Sequence, residues 1–261
     1  MAQASAAGSA SYPLRLWRLL RLGVHIAEAA ATIFLLFPRL GSAARDRLTL
    51  CWTRRFLALL NVRLSVQGDW PSGARGALLV LNHVSWLDVF LLLSQRPVRF
   101  IAKAEVRAWP LFGWLAKRQN TLFIERSRRR DTARINQELS AALVGGDWVA
   151  LFAEGTTTDG TSLRHFHSSL LEPAAGGDAV LLPLALRYLN LDGSPDTRPA
   201  YCGDMTLGQS LRRILACRRI DAELIICQPL APGEANRRLL AQQAHAAIAA
   251  ALQSAKPKKL S

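Results

Sequence analysis

The sequence is poor in acid and in sulfur. Asp and Glu number 19 against 33 Lys and Arg in 261 residues, a formal charge of +14. The four cysteines, Cys51, Cys202, Cys217 and Cys227, form no C-x-x-C pair and have no histidine at ligand spacing. That pattern argues against a zinc framework and a disulfide-stapled scaffold, and reads as buried small hydrophobes in a reducing cytosol. Gly-rich phosphate loops are missing: neither G-x-G-x-x-G nor G-x4-G-K-[ST] occurs, which argues against a nucleotide cofactor and ATP chemistry. There is no G-x-S-x-G elbow to present a serine nucleophile. The first eleven residues hold neither Lys nor Arg, so a secretory signal with a basic start is not expected.

What is plentiful is apolar: half of the residues are hydrophobic and a fifth are charged. A disordered regulator is excluded by that balance, and the length suits one large domain with an appendage. Hydrophobicity combined with positive charge points to a partner that is both greasy and anionic. An anionic membrane surface satisfies both conditions, whereas nucleic acid asks only for the charge. The arginines sit mainly on apolar helices and strand ends without an aromatic-interleaved platform, so no nucleic-acid partner is expected.

Four stretches follow from the pattern. Residues 1–12, rich in Ala, Ser and Gly, read as a flexible tail. Residues 13–60 read as a helical, membrane-anchoring hairpin. In its first helix Arg15, Arg18 and Arg21 run beside Leu16, Trp17, Leu19 and Leu20, and residues 22–37 are apolar apart from His25 and Glu28. Sixteen helical residues reach about 24 Å, short of the roughly 30 Å hydrocarbon core. The second helix, 43–60, sets Trp52 and Phe56 among Arg45, Arg47, Arg54 and Arg55. The pair is expected to lie in or dip into one leaflet. A single span with snorkelling arginines is the alternative, and a buried helix pair is the plainest reading.

Residues 61–253 alternate between strand-like runs (62–66, 77–81, 98–102, 121–124, 148–152, 179–186 and 222–226) and helical ones (86–93, 106–117, 131–144 and 233–252). Continuous apolar strands such as 77–81 require cover on both faces, as parallel strands in α/β proteins have. The expected fold is therefore α/β, a mixed and largely parallel sheet flanked by helices. Residues 254–261 form a basic tail.

The sharpest motif follows the run 77–81: Asn82-His83-Val84-Ser85-Trp86-Leu87-Asp88. Ser85 and Asp88 form an S-x-x-D capping box, with Ser85 as N-cap and Asp88 at N3. An N3 carboxylate points back toward the residues before the cap, where His83 stands. Within one helix, residues five apart are about 140° apart around the axis and cannot meet; a strand–loop–helix lets them. Asp88 holding one imidazole nitrogen would leave the other as a general base. A dyad without a nucleophile suits proton removal from a substrate hydroxyl that itself attacks an acyl carbon. A third cluster, Glu154-Gly155-Thr156-Thr157, follows the apolar run 148–152. It reads either as a turn or as backbone N–H groups aimed at a head group or oxyanion. Between the two clusters, Arg126 opens a basic run through Arg130.

Together these blocks resemble the glycerolipid acyltransferase family, whose best-known member is 1-acylglycerol-3-phosphate O-acyltransferase. Asn82-His83-x-Ser85-x-x-Asp88 matches its N-H-x-S-x-x-D block in full. Phe123-Ile124-x-Arg126 matches a second block, with Asn120 where glycine is usual. Phe152-x-Glu154-Gly155-Thr156 matches F-P-E-G-T-R-S except for Ala153 and Thr157, and Leu182-Pro183-Leu184 resembles the fourth block. Lys103, Glu105, Pro110 and Gly113 resemble the region after the first block. The resemblance implies acyl transfer from acyl-carrier protein or acyl-CoA to a lysolipid hydroxyl at the cytoplasmic face of the cell inner membrane, with no metal and no cofactor. It makes His83 the base and Asp88 its orienter. Asn82, Ser85, Lys103, Arg126, Glu154, Gly155, Thr156 and Thr157 become the substrate-binding set. Lysophosphatidic acid is the first acceptor on family frequency. The Glu-Gly-Thr-Thr-x-Asp-Gly form resembles members that acylate lyso-ornithine lipid. A non-catalytic basic protein that binds membrane or nucleic acid is the competing class.

Overall fold

Five consecutive aliphatic residues, 77–81, make the central strand of the computed structural model and explain its layering. Ala77, Leu79 and Leu81 enter one apolar cluster, and Leu78 and Val80 enter another. Side chains alternate across a strand, so an unbroken apolar run needs packing on both faces. The structure describes residues 9–108, 112–125, 129–175, 179–230 and 236–254. Along the chain run α1 (Tyr12–Leu35), α2 (Ser42–Leu59), β1 (Val62–Gln67), β2 (Ala77–Leu81), α3 (Leu87–Leu93), β3 (Arg99–Lys103), α4 (Phe112–Arg118), β4 (Leu122–Ile124), α5 (Arg129–Val144), β5 (Trp148–Phe152), α6 (Glu172–Ala175), β6 (Val180–Leu189), α7 (Leu207–Ala216), β7 (Ile220–Ile226) and α8 (Arg237–Ser254). The strands are ordered β1-β7-β6-β2-β5-β3-β4, and among the described residues β6 with β7 is the one antiparallel strand pair. This is the mixed, largely parallel α/β sheet that the alternation predicts. α3, α7 and the two N-terminal helices cover the first face, and α5 and α8 cover the second.

Some boundaries differ. The expected helix 106–117 is a 3₁₀ turn, Ala104–Ala108, followed by α4. Pro110 stands between them and has no N–H for a continuous helix. β6 runs three residues past the expected end at 186. α7 falls in a stretch that carried no legible motif, although Thr206 and Gln209 cap it reciprocally. All four cysteines are free, and Cys51 is exposed rather than buried. Residues 1–8 and 255–261, most of the two expected tails, lie outside the described residues, as does the expected helix start at 233. Ser9 and Ala10 are not loose: Ser9 bridges Cys217, and the Ala10 N–H donates to the Ala216 carbonyl at 2.8 Å.

One segment, Tyr12–Arg39, is long and apolar enough to cross a membrane by length and composition. Yet α1 buries Arg18, Leu22, His25, Ala29 and Ile33, a single stripe at helical spacing. The Arg18 guanidinium donates to the carbonyls of Cys217 at 2.7 Å and Arg218 at 3.0 Å. Carbonyls at a helix end lack partners inside the helix and carry the negative end of its dipole. Arg18 therefore bolts α1 to the end of α7. Further along, His25 Nε2 meets the Trp52 carbonyl and Trp52 Nε1 donates to the His25 carbonyl, both at 3.0 Å. Trp52 and Phe56 then stack toward Phe90 of α3, with Phe56 and Phe90 centroids 4.4 Å apart. The opposite side of α1 exposes Tyr12, Leu16, Trp17, Leu20, Val24 and Phe34.

Candidate active site

Parallel topology brings distant residues to one sheet edge. Leu81, the last residue of β2, is level with Phe152 of β5 and Leu184 of β6, and Lys103 of β3 is level with Ile124 of β4. His83, Glu154 and Lys103 therefore share the C-terminal edge, where open α/β sheets gather ligands. Lys103 is exposed there. Arg126, expected to bind substrate, lies outside the described residues.

β2 ends, but its ladder does not. Asn82 donates from Nδ2 to the Leu186 carbonyl and accepts the Leu186 N–H on Oδ1, each at 2.8 Å. A side-chain amide thus replaces a backbone amide and frees the chain to turn. Asn82, expected to bind substrate, is buried, and these two bonds hold the loop that follows it. Ser85, also expected to bind substrate, is fully buried, and its hydroxyl accepts the Leu87 N–H at 3.3 Å. The helix begins one residue later than the capping box implied, although the Asp88 carboxylate does accept the Ser85 N–H at 2.9 Å.

His83 and Asp88 meet as the motif required. His83 Nδ1 lies 2.8 Å from Asp88 Oδ2, which also accepts the Val84 N–H at 2.8 Å. Asp88 Oδ1 accepts the Tyr188 hydroxyl at 2.6 Å. Every neighbour donates to this fully buried group, the pattern of an ionised carboxylate. Its demand for protons fixes Nδ1–H on the imidazole and leaves the Nε2 lone pair outward. The ring stacks on Phe152, with centroids 3.8 Å apart and planes within 14°, so both its plane and its edge are set. Tyr188 was missed by sequence reasoning, being a hundred residues from Asp88. Burial and the adjacent carboxylate hold its hydroxyl well above the usual tyrosine range, so it stays a donor.

Glu154 is buried, and burial pushes its carboxyl above the usual glutamate range. One oxygen accepts the His83 N–H at 2.7 Å and the other the Arg164 N–H at 2.9 Å. It ties the loop that carries His83 to the segment at Arg164. Gly155 sits at φ +71°, a left-handed conformation that favours glycine, and its N–H donates to the Phe152 carbonyl at 3.1 Å. The Thr158 N–H donates to the His83 carbonyl at 2.9 Å. Within this turn, the Glu154, Thr156 and Thr157 amides donate to no described residue. Thr157 spends its hydroxyl on the Tyr201 carbonyl. Thr156 and Gly155 line a depression of about 610 Å³ with Glu154, Arg164, His165 and His167. The last three basic residues escaped sequence reasoning; two histidines flanking Phe166, in a chain with five, were the available signal. Asn120, where a glycine was usual, adopts φ +52°, a conformation asparagine tolerates.

Comparison with known proteins gives the family of the chain. Residues 63–187 match the family described as Acyltransferase. A lyso-ornithine lipid O-acyltransferase from Pseudomonas aeruginosa is 41% identical over 208 residues, covering 80% of this chain and 79% of that protein. A 1-acyl-sn-glycerol-3-phosphate acyltransferase from Neisseria gonorrhoeae is 33% identical over 218 residues, covering 82% and 84%. The crystal structure of the acyltransferase PlsC from Thermotoga maritima shares the fold, with a TM-score of 0.68 at 20% identity, over 94% of this chain and all of that one. A charged dyad with an outward imidazole nitrogen at the sheet edge, on a chain this similar over most of its length, has one classification: it belongs to the acyltransferase family and is an enzyme.

Proposed function

We propose that the protein moves a fatty acyl group from the thioester of acyl-CoA or acyl-carrier protein to the hydroxyl of a lysolipid. The observation that carries this reading is the 2.8 Å contact between His83 Nδ1 and Asp88 Oδ2, with Nε2 turned outward. Nε2 accepts the hydroxyl proton as the alcohol oxygen attacks the thioester carbonyl carbon. Asp88 stabilises the resulting imidazolium, the C–S bond breaks, and the thiolate leaves with the proton from His83. General-base help of this kind is worth about 10²–10⁴ in rate. A thioester is already activated, so the step calls for no cofactor.

Two acceptors compete. Lysophosphatidic acid is supported by the neisserial relative's name. Lyso-ornithine lipid is supported by the pseudomonad relative and by Thr157, a hydroxyl already spent where a guanidinium would grip phosphate. The exposed apolar side of α1 and the surrounding arginines support docking on an anionic membrane, which we assign to the cytoplasmic face of the inner membrane. A helix bolted along its length to the domain favours lying in the interface over spanning it. Labelled acyl-CoA and acyl-carrier protein, offered with each acceptor, test the reading. Product with at least one acceptor in wild type and none in His83→Ala is expected; equal product in both would end it.

A further inference from the structure

The segment Arg164–His167 is hooked to the catalytic edge at two points. The Arg164 N–H donates to Glu154 Oε2 at 2.9 Å, and the His167 N–H donates to the Ala153 carbonyl at 2.9 Å. Glu154's other oxygen holds the His83 N–H, so one carboxylate sets the separation between this segment and the catalytic loop. Phe166 turns inward and packs against His245 of α8, with centroids 5.1 Å apart. Alternation along the extended chain then sends His165 and His167 outward together, their rings 6.0 Å apart. With Arg164 they line the depression of about 610 Å³, which lies open to solvent. The acid in that lining, Glu154, has both oxygens occupied by backbone amides. What faces outward is one guanidinium and two imidazoles.

We infer that Arg164, His165 and His167 bind a substrate oxyanion and hold it beside His83. The chemistry is a phosphate or carboxylate, taken from the head group of the lysolipid or from a phosphate of the acyl donor. A guanidinium grips either oxyanion through two parallel hydrogen bonds, and each imidazole adds an N–H donor. The cradle supplies the cationic contact that Thr157 does not. This rests on the acyl-transfer reading for its ligands, and its test does not depend on turnover.

Equilibrium binding to the full chain is measured for lysophosphatidic acid, lyso-ornithine lipid, acyl-CoA and uncharged monoacylglycerol. Wild type is compared with Arg164→Gln, Arg164→Lys and the double variant His165→Gln/His167→Gln. At least one oxyanionic ligand is expected to bind about tenfold or more weakly to Arg164→Gln and to the double variant. Monoacylglycerol should be unaffected, and Arg164→Lys should recover part of the loss. Weakened lysolipid identifies the head group as the source; weakened acyl-CoA identifies the donor. If no oxyanionic ligand changes by more than about twofold, or if monoacylglycerol weakens equally, the cradle is wrong. Failure of the acyl-transfer reading shows separately, as wild type binding these ligands through Arg164 while turning none of them over.

Discussion

The catalytic edge and the N-terminal helix pair invert the usual rule in opposite directions. At the edge, polar groups are buried: Asn82, Ser85, Asp88 and Glu154 are all sealed from solvent, and each is taken up by named partners. On α1, large apolar groups are exposed, among them Trp17, Leu20 and Phe34, and no described residue covers them. Burying polar atoms costs free energy unless every hydrogen bond is made, so such a cluster persists where it fixes geometry. Exposing contiguous apolar surface is equally unfavourable in water and marks a surface meant for something else. One region holds the groups to which we assign the chemistry; the other presents the apolar surface that we assign to lipid.

The sharpest way to break the first half of the contrast is at the dyad. His83→Ala should lower acyl transfer by about 10²–10⁴-fold and cost about 1 kcal/mol in unfolding, because buried Asp88 loses one of its four donors. Asp88→Asn should lose a similar rate factor and also destabilise, since an amide cannot accept all four donors. Next comes Glu154→Gln, which keeps one acceptor for two backbone N–H groups. It should cost about 2 kcal/mol in chemical denaturation and lower kcat with it, because the His83 backbone shifts. Its pH signature is specific. The raised Glu154 carboxyl lets the folded chain keep a proton that the unfolded chain has released. Its stabilising contribution is thus full at acid pH and is lost as pH rises through the raised value. Denaturation of wild type relative to the variant should follow that slope from pH 4.5 upward; a flat difference would contradict it. Tyr188→Phe removes one hydrogen bond to Asp88, for about 1 kcal/mol and about a tenfold fall in kcat.

The other half of the contrast is sharpened by exchanging exposed apolar groups. Trp17→Ser and Phe34→Ser should each weaken sedimentation with anionic vesicles by roughly tenfold, the loss of about 1.5 kcal/mol of burial. Unfolding free energy without lipid should move by less than about 0.5 kcal/mol, the smallest effect of the set. Unchanged vesicle binding would remove α1 from the membrane.

Much of this was legible because it is local. The strands 77–81 and 148–152 have the expected bounds, since an unbroken apolar run between turn formers admits little else. His83 and Asp88 were readable because five residues and one turn bring them together. The cap of α7 was equally local, a Thr206-x-x-Gln209 box present in the sequence and left unread amid a charged stretch. The buried bonds of Asn82, Ser85 and Glu154 were not legible: composition says which groups can hydrogen-bond, not which partners the fold gives them.

By itself, then, the sequence determined the alternation of the α/β sheet, the dyad and the excess of basic and apolar surface, because each depends on spacings within a single turn or strand. Tertiary structure alone decided that Tyr188 backs Asp88, that Glu154 joins His83 to Arg164, and that Arg18 fastens α1 to α7 rather than reaching for lipid. Those pairs are separated by 100, 71, 10 and 199 positions. What links them is a hydrogen-bond donor finding an acceptor after the sheet has closed, and no pattern along the chain records that.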